Sequence, residues 1–219
     1  MSSLVLLWYN LSIMIKLGFL IFFLLVIGIS SFAQPVQQSK EHVYIDFNSS
    51  FSIVENSFTQ TWDPLPGLRL NVRAPFYAGQ LEAGLRYTRF MGSAPSETDS
   101  DFHSVFAHIG WNYPVKITSR FEIAPSIRFG NHFMLFDESA VFTNNSGSER
   151  FVTDQSESEF AYEISLRNQF SLTQNWHLNA SISYNRTLTF FPLPVTLFSL
   201  GVSCSFEQPR WIKKFIRSF

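Results

Sequence analysis

The sequence predicts an all-β fold: a closed, antiparallel, up-and-down barrel of eight strands. Three observations predict it. Apolar and polar residues alternate with period two in runs of about ten. The runs number eight, an even count, and their connections alternate between tight and long. None of the five lysines, at 16, 40, 116, 213 and 214, falls inside a run. A strand face in water uses lysine freely, so the polar stripes are expected to face somewhere other than bulk solvent.

Composition narrows the classes first. The 219 residues are 46% apolar, 17% aromatic and 15% charged, with a formal net charge of −1. A typical soluble domain is about 25% charged. Abundant aromatics and low charge exclude a disordered chain. The absence of a basic excess excludes a nucleic-acid binder. A single cysteine, Cys204, excludes an internal disulfide framework and a paired-cysteine zinc site.

The N-terminus reads as an export signal over residues 1–33. Lys16 precedes the apolar run at 17–29, and small Ser31 and Ala33 mark a cleavage site. The segment from Met14 onward is a well-formed signal by itself, so Met14 is a candidate true start. A permanent membrane helix is the rival reading. No cysteine follows the apolar run, which argues against a lipoprotein anchor. Residues 34–207 are then the barrel and 208–219 a tail.

Each strand is justified by its alternation. The first carries Val43, Ile45, Phe47, Phe51 and Ile53 against His42, Tyr44, Asp46, Asn48 and Ser52. The second sets Leu68, Leu70, Val72 and Ala74 against Arg69, Asn71 and Arg73. The third sets Leu81, Ala83, Leu85 and Tyr87 against Gln80, Glu82, Gly84, Arg86 and Thr88. The fourth sets Val105, Ala107, Ile109, Trp111 and Tyr113 against Ser104, His108, Gly110 and Asn112. The fifth runs from Phe121 to Phe133, with Glu122, Ser126, Arg128 and His132 on its polar side; Pro125 predicts a bulge. The sixth spans Phe160–Arg167 with Glu163, the seventh Trp176–Asn185, the eighth Phe198–Phe206. Connections at 75–79, 114–119 and 171–175 are tight; those at 55–67, 92–101 and 137–158 are long, and 191–194 is short again. Tight turns on one side and long loops on the other is the layout of an outer-membrane barrel.

Alternation alone does not say which face looks inward. A soluble lipocalin-like barrel puts its apolar face inside. Two facts favour the inverse: the missing strand lysines and a polar face of small residues with matched charges. Those charges are Arg69, Arg73, Arg86, Arg128 and Arg167 against Asp46, Glu82, Glu122 and Glu163, five against four. An eight-stranded barrel is just wide enough to be filled by its own side chains. Charges filling it must be paired, because unpaired buried charge is costly. Trp111, Tyr113, Trp176, Tyr87 and Tyr184 suit interfacial girdles.

The last strand carries a family resemblance. Ser199, Gly201, Cys204 and Phe206 stand where outer-membrane barrels carry their assembly signal. The chain resembles small eight-stranded barrels of the OmpA/OmpX type over roughly residues 41–207. That resemblance implies a place in the bacterial outer membrane, surrounding lipid as a partner, and insertion by the barrel-assembly machinery. Cys204 departs from the usual apolar or aromatic residue, and the chain continues past Phe206. In the tail, Trp211, Ile212, Phe215, Ile216 and Phe219 fall on one helical face, opposite Arg210, Lys213, Lys214 and Arg217. A short basic amphipathic helix on the membrane surface is expected there.

Chemistry is sparse. The histidines at 42, 103, 108, 132 and 177 show no metal-ligand spacing, and no cofactor motif occurs. His132 with Asp137 is the one pair suited to hydrolysis, since some eight-stranded outer-membrane barrels modify lipid A as acyltransferases or deacylases. No serine adjoins His132 in sequence to serve as nucleophile. The expected role is structural or surface-directed, through the long loops, with a plugged polar lumen. A lipid-modifying enzyme and a narrow pore are the alternatives.

Overall fold

The computed structural model describes residues 42–54, 56–92, 101–137, 141–143, 149–151, 156–189, 193–210 and 214. All of them belong to one unit, Ser39–Phe219. The expected export signal lies outside the described residues, and so does most of the expected tail helix.

Eight long strands build the wall: β1 (His42–Ser52), β2 (Gly67–Phe76), β3 (Gly79–Gly92), β4 (Phe102–Asn112), β5 (Phe121–Phe136), β6 (Ser156–Ser171), β7 (Trp176–Thr187) and β8 (Leu193–Glu207). Each pairs antiparallel with its sequence neighbour, β5 pairs β6 over their whole length, and β1 pairs β8. The sheet is therefore closed and has no edge. In hydrocarbon that is a requirement, because an edge amide finds no water.

Side-chain parity is the opposite of a soluble barrel. Outward residues are apolar and exposed: Phe47, Leu70, Leu85, Ile109, Phe129, Ile164, Leu178, Ile182 and Leu200 are each 43–66% accessible. Inward residues are polar and buried, among them Asp46, Arg73, Glu82, Arg128 and Glu163. The lipocalin-like alternative fails on this observation. Trp111, Tyr113 and Trp176 face outward at the turn end, Tyr87 and Tyr184 nearer the loop end.

Closure depends on one glycine in the last strand. Gly201 lies opposite Asn48 of β1 and Asn179 of β7. A Cβ there would run into the Phe47 carbonyl and the Asn48 side chain. Gly201 thus lets β8 approach β1 at the seam.

Three details differ from expectation. The register past Pro125 is unbroken: Ser126, Pro125 and Ala124 face Ser165, Leu166 and Arg167 in sequence. No bulge forms, because the amide missing from Pro125 would point to Tyr113, where β4 has already ended. The Pro125 carbonyl still accepts from the Tyr113 N–H at 2.9 Å. Second, β8 starts at Leu193 rather than Phe198, and β3, β5 and β6 run further toward the loops than alternation suggested. Third, the 55–67 connection is not featureless. It carries a short helix α1 (Ser57–Thr61), capped by Asn56, and then Trp62–Pro64, which pair with β3. Asn56 accepts from the Phe58 and Thr59 amides at 3.0 Å and donates to the Pro194 carbonyl at 2.9 Å. That fastens the loop across the barrel mouth.

Candidate functional site: a barrel filled in two layers

The interior is filled by two layers of different chemistry. The lower layer is ionic. Glu163 of β6 accepts from three arginines on three strands: Arg69 at 2.8 Å, Arg128 at 2.6 Å, and Arg86. Arg128 also holds Glu82, its Nε 3.0 Å from Oε1. Asn112 donates to Glu82 at 3.3 Å. Toward the turn end, Arg73 grips Asp46 with two bonds of 2.7 and 2.8 Å. Arg73 also donates to Gln80 at 2.8 Å and Gln169 at 2.9 Å, and its guanidinium lies 4.6 Å over the Tyr44 ring. Ser203 of β8 donates to Asp46 as well. Arg167 stands 3.6 Å from Glu122 and 4.0 Å from Asp46.

The structure thus gathers the nine charged residues singled out above into two interior groups, one around Glu163 and Glu82 and one around Asp46, bridged by Asn112, which donates to Glu82 and accepts from Arg167 at 3.5 Å. Bidentate, charge-assisted bonds of this kind are the strong class. They tie β1, β2, β3, β5, β6 and β8 together across the lumen, far beyond nearest-neighbour pairing.

The upper layer was not foreseen. Phe58, Trp62, Phe90, Phe102, Met134, Phe136, Val195 and Leu197 form a buried apolar cluster at the loop end. Phe102 sits in its middle, 4.7 Å from Phe90, 5.1 Å from Phe136 and 6.0 Å from Trp62 between ring centroids. These residues share the inward parity of Arg86 and Ser104, so the inward stripe changes from polar to aromatic near the mouth. That switch shortens the strands when they are read by alternation. A weak signal was present: aromatic residues at 90, 102 and 136 on the parity otherwise reserved for polar groups.

Between the layers lies His132. It does not meet Asp137, as the hydrolytic reading required. Its Nδ1 is 2.6 Å from the Thr187 hydroxyl, and Nε2 contacts the Ser104 hydroxyl. Asp137 lies instead at the outer rim, 3.5 Å from Arg89 and 3.6 Å from His103. A serine against an imidazole is the nucleophile–base arrangement of covalent hydrolysis. Here the two are buried beneath the aromatic layer, and a threonine holds the far nitrogen. The three groups satisfy one another's hydrogen bonds. His108 stacks on Phe106 at 5.0 Å with Nε2 3.9 Å from Glu82. His177 bridges the Ser171 and Ser205 hydroxyls at 3.0 and 3.2 Å. Among the described residues no group of three or more His, Cys, Asp or Glu side chains is placed to hold a metal ion.

Of the assembly-signal residues, Ser199 and Gly201 face inward, while Cys204 and Phe206 face outward near the turn end. Of the tail residues Trp211, Lys213, Phe215 and Arg217 lie outside the described residues; Lys214 is exposed.

An even, closed, antiparallel wall with an apolar outside, a polar charged inside, tight turns at one end and longer loops at the other has one setting. The chain has the fold of a small outer-membrane β-barrel. No protein-family model and no curated protein sequence matches it. Solved structures of similar fold include Ail, the attachment invasion locus protein of Yersinia pestis, at 19% identity, covering 76% of this chain and 97% of that one, TM-score 0.48. Neisserial surface protein A is similar at 17% identity, covering 78% and 98%, TM-score 0.48. The outer-membrane protein OprG of Pseudomonas aeruginosa is similar at 11% identity, covering 77% and 97%, TM-score 0.43.

Proposed function

We propose that this barrel acts through its surface and not through its lumen. The carrying observation is the double filling. A guanidinium–carboxylate network occupies the middle, and an aromatic layer fastened by the α1 loop occupies the loop end. Ions crossing the barrel would have to break both. The connections at 93–101 and 137–155 then present the contact surface for an external partner, and the barrel is their membrane anchor. Lipid surrounds the wall, and the barrel-assembly machinery is the partner during biogenesis, engaging the strand that carries Ser199, Gly201, Cys204 and Phe206.

Conductance tests this reading. Purified protein in a planar bilayer is expected to give no discrete current steps. Regular steps of one size from the native chain would make it a pore. A comparison of membrane lipid A with and without the protein tests the enzyme alternative; unchanged acylation is the expected result.

A further inference from the structure

We infer that the barrel interior binds one small monovalent anion, of the halide kind, between Arg69 and the serine-lined wall of β7, β8 and β1. This rests on the filled lumen proposed above. Charge inside is unevenly spread. Around Asp46 it balances: Arg73 and Arg167 face Asp46 and Glu122. Around Glu163 it does not. Arg69, Arg86 and Arg128 share Glu163 and Glu82, so three guanidinium groups meet two carboxylates. The next inward carboxylate on β6, Glu159, stands four residues nearer the mouth, about 13 Å along the strand. A buried cation in excess is costly without a counter-charge.

Beside that surplus stand buried donors with no acceptor. Arg69 Nε, Ser50 Oγ, Ser183 Oγ, Ser199 Oγ and Asn185 Nδ2 have no hydrogen-bond partner among the described residues. Each of these residues is at most 2% exposed. The strand register sets them at one height. The hydrogen-bonded row through Arg69 passes Asn48, Gly201 and Asn179 and reaches Gln169 on β6. Arg69 nevertheless bonds Glu163, six residues nearer the loops than Gln169. A level drawn through the tilted wall therefore climbs about one and a half residues per strand. It cuts β1 near Ser50, β8 near Ser199, and β7 between Ser183 and Asn185. Ser50 lies opposite Ser199, and Asn185 opposite Glu163. Ser50 Oγ also leans over Gly67, two residues from Arg69.

Arg69 thus spans the lumen from β2 to β6 and divides it. Arg86, His108 and Arg128 crowd one side; serines and asparagines alone line the other at this height. The acceptors without a partner lie elsewhere: Asn71 Oδ1 sits against Gly84 on the β3 side, and Asn179 is nearer the turns. Converging hydroxyl, amide and guanidinium donors are the ligands of an anion. A water molecule must donate as well as accept, and it leaves the surplus charge in place. A halide accepts from every direction, which suits hydroxyls free to turn, and it supplies the missing negative charge.

Bromide is the probe. The full barrel, tail included, is refolded into phospholipid vesicles in sodium bromide and then transferred to sodium gluconate. Bromine per protein is counted by X-ray fluorescence. One bromide per barrel is expected to remain, and the urea midpoint is expected to be higher in bromide than in gluconate of equal ionic strength. Arg69→Met, which removes the surplus cation, is expected to retain at least tenfold less bromide and to unfold at the same midpoint in both salts. Ser199→Ala is expected to lower retention severalfold. Ser205→Ala, whose hydroxyl meets His177 at the turn end, is expected to retain bromide as the native chain does. A native barrel with neither retained bromide nor a bromide-dependent midpoint overturns the site, as does equal behaviour of the native chain and Arg69→Met. Folding of each variant is checked by its heat-dependent gel shift; if Arg69→Met does not fold, the double variant Ser50→Ala, Ser199→Ala decides by the same two readouts. Discrete currents from the native barrel would refute the filled lumen itself; a silent barrel without bromide refutes only this inference.

Discussion

Replacing Glu163 with glutamine tests the filled lumen most directly. Glu163 is fully buried and is the shared acceptor of Arg69, Arg86 and Arg128. Arg128 keeps Glu82 when Glu163 is neutralised. Arg69 and Arg86 have no second carboxylate among the described residues. The interior balance moves from five cations against four anions to five against three. Removing one partner of a buried pair costs about 3–5 kcal/mol. The glutamine oxygen still accepts from one guanidinium, so about 4 kcal/mol is the expected loss. Urea unfolding from lipid vesicles, followed by tryptophan fluorescence and gel mobility, measures it; Trp111 and Trp176 on the lipid face report the transition. Two companions sharpen the result. Glu122→Gln, whose nearest guanidinium is 3.6 Å away and whose carboxylate is slightly more exposed, is expected to cost less than Glu163→Gln. Arg69→Met in the Glu163→Gln background is expected to recover part of the loss, because it removes one stranded cation. A loss under 1 kcal/mol for Glu163→Gln in a normally folded barrel would show that water screens the lumen, and the filled-lumen argument would fall.

Further outcomes follow from the same geometry. Phe102→Ala is expected to cost about 3–5 kcal/mol, read in the same urea titration, because Phe102 centres the mouth cluster; an effect below 1 kcal/mol would deny that the cluster is packed. Gly201→Val is expected to abolish the folded gel band while Cys204→Ser keeps it, since only the glycine faces a steric limit at the β1–β8 seam. Tyr77, in the turn between β2 and β3, has φ of 50° and is 75% exposed. Tyr77→Gly is expected to stabilise by up to about 1 kcal/mol. Pro125→Ala is expected to preserve the register, seen as unchanged amide protection along β6. Deletion of 209–219 is expected to lower the yield of membrane-retained barrel in fractionation; an unchanged yield would deny the tail a membrane role.

The wall was legible in the sequence because period two is a strong signal when both stripes are uniform. Asp46, Arg69, Arg73, Glu82 and Glu163 each sat on a stripe whose other members were small or polar, so their common destination followed. The mouth was not legible for the opposite reason. At Phe90, Phe102, Phe136, Val195 and Leu197 the inward stripe turns apolar, while the outward neighbours mix polar Arg89, His103 and Thr196 with apolar Met91, Leu135 and Phe198. Alternation vanishes there, and the strands seem to stop. The pairing of His132 was out of reach for a different cause. Its partners Ser104 and Thr187 are 28 and 55 residues away and meet it only through barrel closure. Pro125 misled because a missing donor was assumed to face a continuous neighbour; the neighbour had already turned.

The small residues of β7 and β8 belong to the plug as much as the charges do. No buried charged residue stands on these two strands; Asn179, Ser183, Asn185, Ser199, Ser203 and Ser205 line their inner face. Long side chains from the other wall spend their length reaching across. Arg73 starts on β2 and meets Ser203 of β8 at 3.3 Å and Gln169 of β6 at 2.9 Å. Gly84 and Gly201 are empty where Asn71 and Asn48 stand. A lumen of fixed width must balance large against small around its circumference, as packing must in any interior. It follows that widening one wall alone is not tolerated. Ser203→Leu is expected to displace Arg73 from Asp46 and to destabilise by more than Asp46→Asn, measured in the same urea titration. The serine supplies both room and a hydrogen bond to Asp46, whereas the amide variant gives up the charge and one of the two acceptor oxygens but leaves the space unchanged. The reverse order would mean that charge alone, and not fit, holds the filling in place.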